Sequence, residues 1–179
     1  GWMIAKTSYR RNGLIVADAM TDLDALRIHL SETHGTPRRV LLEGESMGGL
    51  IVTLLAERDR LDPPLYDGAV AIGAALQLRE PNSTAPGISL RPRIPLIFLT
   101  NQTELAGPRH YVAADIPGEL AVRPVLFRVS RDGHVNVNQH ERLVALRALN
   151  AWLDRGRATL PPPAADKPFF DATVSPPDR

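Results

Sequence analysis

The stretch Arg39–Glu57, RVLLEGESMGGLIVTLLAE, reads in three parts. Val40-Leu41-Leu42 is a short apolar run, the length of a strand buried on both faces. Gly44-Glu45-Ser46-Met47-Gly48-Gly49 is a glycine-flanked turn, and Leu50–Glu57 carries apolar residues at helical spacing. A strand, a G-x-S-x-G turn and a helix in that order lift a serine hydroxyl out of a sharp bend at the carboxyl edge of a sheet. The residues two before and two after the serine, Gly44 and Gly48, are expected to be small because the strand and helix backbones nearly touch there. The N–H of Met47 then faces the place where an oxyanion would develop, and the helix start adds positive potential. G-x-S-x-G alone is a common pattern; the strand before it and the helix after it make it specific.

Around this stretch, the 179 residues suit one domain, and 44% of them are apolar, enough for a layered core. Twenty-one basic and 20 acidic residues leave a net charge of +1, which points away from nucleic acid and anionic membranes as partners. The absence of cysteine excludes disulfides, thiol catalysis and thiolate metal sites. No apolar run reaches the roughly 18 residues of a membrane span, so membrane insertion is not expected. No signal peptide is visible, although the sequence opens on Gly1 rather than Met, and localisation stays open.

In chain order, Trp2-Met3-Ile4-Ala5 reads as a strand, followed by a polar loop that ends in Asn12-Gly13. Asp18 or Thr21 is positioned to cap a helix running to about Glu32, which His34-Gly35-Thr36-Pro37 stops. Asp62-Pro63-Pro64 ends the helix after Ser46. Ala69–Ile72 is a buried strand closed by Gly73. Residues 77–93 form a linker rich in Pro, Ser, Asn and Gly. Ile94–Leu99 is a strand with its proline near the start, where proline is tolerated. A short helix is expected over Gly107–Ala114 and a last strand over Val125–Val129. Gln139–Asp154 is amphipathic, with Leu143, Leu146, Leu149, Trp152 and Leu153 on one side, and Gly156 terminates it. Residues 1–156 are thus predicted to be the folded core and 157–179 a proline-rich tail. Strands alternating with helices predict an α/β fold in three layers, with a mostly parallel sheet covered on both faces.

In such sheets reactive side chains sit beyond the carboxyl ends of the strands. A serine needs a base, and a histidine base needs a carboxylate to fix its tautomer. His134 follows the last strand in Ser130-Arg131-Asp132-Gly133-His134, where Gly133 allows the bend. His110 is its competitor; His29 and His34 read as helix residues and His140 as solvated. Glu104, just after the strand 94–99, is the leading acid. Asp132 is only two residues from His134, and Asp115 lies far from its strand end. Glu45 reads as a structural partner inside the turn, and Asn136 and Asn138 as caps of the last helix.

With Ser46, Glu104 and His134 placed in that order, the chain resembles the α/β-hydrolase superfamily, and within it bacterial serine esterases. GESMGG is similar to the carboxylesterase elbow GESAGG. SYRRNG, IPLIFLTNQTE, RDGHVNVN and ERLVALRALNAWLDRG look like pieces of bacterial hydrolases known only by fold. The resemblance covers about residues 1–156 and implies hydrolysis of a small-molecule ester through an acyl-enzyme, with no cofactor and no metal. Ser46 would attack, His134 would carry the proton, Glu104 would orient His134 and Met47 would donate to the oxyanion. The alternatives are a serine peptidase or amidase using the same three residues, and a non-catalytic hydrolase-fold module or fragment.

Two departures from the family pattern stand out. Five strands are predicted where the family usually has eight, and the loop that gives the second oxyanion donor would precede residue 1. A linker of about seventeen residues, 77–93, also stands where many relatives carry a helical cap, so the site is expected to be open unless a cap lies outside this sequence. In the family's strand order, a strand absent here lies between residues 2–5 and the Ser46 strand. Either an N-terminal segment or a second chain fills that gap, or residues 2–5 pair directly with residues 40–42.

Overall fold

The structure, a computed structural model, describes residues 1–58, 64–78, 87–114 and 122–155. Residues 79–86 of the 77–93 linker, Asp115, Gly156 and the tail 157–179 lie outside the described residues, as do Asp62-Pro63; the helix after Ser46, expected to run to Asp62-Pro63-Pro64, already ends at Glu57.

Four parallel strands form the sheet among the described residues, in the order β1 (Leu41–Glu45), β2 (Gly68–Ile72), β3 (Leu96–Asn101) and β4 (Val125–Val129). Each strand exposes two sets of side chains, because successive residues point to opposite faces. Ala69 and Ala71 of β2, with Leu96 and Phe98 of β3, face α1 (Val16–His34), α2 (Met47–Glu57) and Tyr111 of α3 (Ala106–Ala113). Val70, Ile72, Ile97 and Leu99 face α4 (Gln139–Arg155) through Ala145, Leu149 and Trp152. The result is three layers, α/β/α. Side chains as fully buried as Phe98, Leu99 and Leu149 each contribute about 1.5–3 kcal/mol through burial.

Some polar groups in these layers find partners, whereas the buried Thr100 Oγ1 and Trp152 Nε1 have none among the described residues. Tyr111 donates to Glu57, which also accepts the Ser89 N–H. Burial, reinforced by the Glu57 charge, pushes the Tyr111 hydroxyl far above its usual range, so it stays a donor. The N-terminus of α4 is closed by a capping box in which Asn138 Oδ1 accepts the Glu141 N–H and Glu141 returns the bond to the Asn138 N–H.

Several sequence expectations are corrected. Residues 2–5 form no strand; Trp2, Met3 and Ile4 are exposed, and no ladder joins this segment to residues 40–42. The strand before Ser46 runs Leu41–Glu45 and is an edge strand among the described residues, with only Leu42 buried. Burial of a strand depends on neighbours that the local pattern does not encode. Helix α1 begins at Val16, two residues before Asp18, with no side-chain cap; buried Ile15 and Val16 set its start. Asp18 instead pairs with Arg11, and Thr21 donates back to the Ala17 carbonyl. On α4 the buried positions are Glu141, Ala145, Leu149 and Trp152, whereas Leu143 is exposed. The expected helix near 107–114 and the strand Val125–Val129 occur as read.

Candidate active site

Ser46 stands between β1 and α2 with φ +52° and ψ −114°, a backbone conformation that costs a non-glycine residue about 1–3 kcal/mol. Three backbone bonds hold it there: Ser46 N–H donates to Ile72 O, and Ser46 O accepts from Leu50 and Ala75. A strained turn held from both sides keeps the side chain out of helix and sheet alike.

The glycines around it work differently from the simple expectation. A Cβ on Gly44 would lie 2.2 Å from the Gly48 carbonyl oxygen, so the strand–helix approach does demand glycine at that position. A Cβ on Gly48 would meet nothing within 4 Å. The other tight position is Gly49, whose Cβ would lie 2.8 Å from Ala74 Cα. Gly44→Ala is therefore expected to destabilise the fold by about 3 kcal/mol or more, because backbone cannot yield there. Gly48→Ala is expected to be neutral or to gain up to about 1 kcal/mol, since alanine favours the helix. Urea midpoints of the two variants check this, and equal losses would contradict it.

The structure brings Ser46, His134 and Glu104 together from three loops that follow β1, β3 and β4. His134 Nε2 lies 2.8 Å from Ser46 Oγ, and its Nδ1 is paired with Glu104 Oε1. A carboxylate only accepts, so Nδ1 carries the proton and Nε2 is left to accept the serine hydroxyl. Glu104 sits at the end of a single 3₁₀ turn, Gln102–Glu104, directly after β3, and its Oε2 takes the Val135 N–H at 3.2 Å. The His134 side chain is 60% exposed, so the site is open to solvent among the described residues. Met47 opens α2, where the first N–H groups have no acceptor inside the helix. Beside it is a cavity of about 420 Å³ lined by Tyr9, Glu43, Gly44, Glu45, Ser46, Met47 and Gly48.

The alternatives lie elsewhere. His29, His34 and His140 are exposed on helices, and His110 is exposed on α3, away from this contact. Asp132 accepts from the Gln102 side chain. Glu45 is paired with Arg142 of α4, which also reaches Glu43 at 3.1 Å, and these carboxylates raise the guanidinium above its ordinary range. Asn136 caps nothing; its backbone is bonded to Asn101 and its amide to the Asp132 carbonyl. The groups that could ligate a metal form no cluster of three among the described residues, and no helix there is long and apolar enough to cross a membrane.

Gly73, Asn101 and Thr103 were missed in the sequence. A Cβ on Gly73, at φ +49°, would crowd Val135 and the Glu104 carboxylate. Its place at the end of a strand was the only signal. Asn101 and Thr103 read as ordinary loop polarity, because their partners are 30 or more residues away.

Comparison with known proteins follows the same line. A solved structure reported with LipS and LipT, two metagenome-derived lipolytic enzymes, aligns with TM-score 0.52 and 18% identity over 79% of this chain and 74% of that chain. A structure named for a cell surface hydrolase of Lactobacillus plantarum WCFS1 aligns with TM-score 0.50 and 17% identity, over 86% and 68%. At these identities the likeness is one of fold. No curated protein matches. Residues 14–123, more than half the chain, match the family described as serine aminopeptidase, S33; the span includes Ser46 and Glu104 and ends before His134. With that match and a parallel sheet sandwiched between helices, this chain belongs to the S33 family of α/β hydrolases.

Proposed function

We propose that the protein is a serine hydrolase that cleaves carboxylic esters of small molecules through Ser46, His134 and Glu104. The observation that carries this reading is the two-sided engagement of one imidazole, with Ser46 Oγ on Nε2 and Glu104 on Nδ1. Ser46 Oγ attacks the ester carbonyl while its proton passes to His134 Nε2. The oxyanion takes the Met47 N–H and feels the positive start of α2. His134 then gives its proton to the departing alkoxide, leaving an acyl-enzyme. Water, deprotonated by the same nitrogen, releases the acid and restores Ser46. Glu104 holds the tautomer and balances the transient imidazolium.

The reading includes a strand supplied from outside the described residues. Among the described residues no strand lies beside the outer edge of β1, and Tyr9 and Glu43–Gly48 line a cavity there. Unpaired backbone groups cost about 1–3 kcal/mol each when buried, so an added strand, from an N-terminal segment or a second chain, would stabilise the sheet. It would also bring a second oxyanion donor.

The family's description favours a second reading, in which the same residues cleave an amide. Turnover of a p-nitrophenyl ester and the p-nitroanilide of the same acyl group separates the two. Ester hydrolysis with the anilide far slower is expected; an anilide cleaved as fast would replace the esterase reading by the amidase one.

A further inference from the structure

We propose that Thr103 and Asn101 are positioning residues for His134, acting through the backbone of the loop that carries it; the inference rests on the serine-hydrolase reading above. Between β4 and α4, His134 lies in an irregular loop. Gly133 before it has φ +116°, and Val135 after it has φ +53°, a left-handed conformation that a β-branched residue strongly resists. Such a loop relaxes unless its surroundings over-determine it. The surroundings here are four consecutive residues at the end of β3.

Each residue from Asn101 to Glu104 bonds to the loop. The fully buried Asn101 amide donates to Asn136 O and accepts the Asn136 N–H, both at 2.8 Å, as a neighbouring strand would. Gln102 N–H donates to Arg131 O at 3.1 Å, and its side chain to Asp132. Thr103 Oγ1 accepts the Gly133 N–H at 3.0 Å and donates to Gly133 O at 3.1 Å. Glu104 takes His134 Nδ1 and the Val135 N–H. The loop is therefore gripped one residue before the histidine and two residues after it. The run that ends in the acid thus also holds the base against Ser46.

Thr103 provides the cleaner test, because it is exposed and contributes little to the core. Displacing a reacting group by about 1 Å costs on the order of 100-fold in rate. Thr103→Val, which keeps the shape and removes the hydroxyl, is expected to lower kcat for a short-chain p-nitrophenyl ester by about 10- to 100-fold with KM little changed. Thr103→Ser, which keeps the hydroxyl, is expected to restore most of the rate. Thr103→Ala serves in place of the valine variant should that one not fold. Thermal midpoints measured in parallel distinguish a positioning role from a structural one, which would lower the midpoint and leave kcat per folded molecule intact. A valine variant with wild-type kcat, or a serine variant as impaired as the valine one, overturns the inference and leaves the hydrolase reading standing. A wild-type chain that neither turns over ester nor is labelled by a fluorophosphonate overturns both.

Discussion

Ser46→Ala is expected to lower turnover of a short-chain p-nitrophenyl ester by at least about 10⁴-fold and to abolish fluorophosphonate labelling. The serine hydroxyl is the atom that forms the bond to the acyl carbon, and among the described residues it is the side-chain partner of His134 Nε2. The alanine variant keeps the backbone of the turn. Its three backbone bonds, to Ile72, Leu50 and Ala75, do not involve the side chain, so the thermal midpoint is expected to be unchanged. Any residual rate would come from bound water activated by His134 and from the Met47 N–H. A folded alanine variant that turns over ester at the wild-type rate would remove Ser46, and with it the whole proposed mechanism.

Glu104→Gln is expected to lower kcat by about 10³- to 10⁴-fold while leaving KM nearly unchanged. An amide at this position can present N–H as well as oxygen to Nδ1. The imidazole can then take the tautomer with the proton on Nε2, which cannot accept from Ser46. The charge that balances the imidazolium is lost as well. Asp132→Asn is expected to change kcat by less than about threefold, because the Asp132 carboxylate meets Gln102 and not His134. Steady-state kinetics of the two purified variants decides the matter. A larger loss for Asp132→Asn than for Glu104→Gln would make Asp132 the acid and exclude the post-strand position as the guide to it.

The elements that were legible in the sequence are those set by neighbours in the chain. The turn at Gly44–Gly49, the strands of β2 to β4 and the helices α2 to α4 follow from apolar spacing, turn residues and helix formers within windows of a few residues. The adjacency of Ser46, Glu104 and His134 was anticipated by a rule of the same kind. A parallel sheet gathers whatever follows its strands at one edge, so three post-strand positions meet although 88 residues separate Ser46 from His134.

The misreadings share a different cause. Trp2–Ala5 has the composition of a strand, but a strand exists only where a partner takes its backbone bonds, and none of the described residues pairs with this segment. Leu143 fits the apolar period of α4, yet the buried stripe is set by which face meets β2 and β3, and that face begins with Glu141, tied to Arg131.

What the sequence determined by itself is the local geometry: a glycine-bounded turn that lifts Ser46, the order of strands and helices, and hence the α/β layering, because these follow from steric and periodic rules acting over a few residues. The tertiary structure alone decided which glycine is crowded, which strand is the edge, and how Asn101 to Glu104 lace the His134 loop, because each depends on contacts between residues distant in the chain, whose choice is made by packing and hydrogen-bond satisfaction across the whole domain.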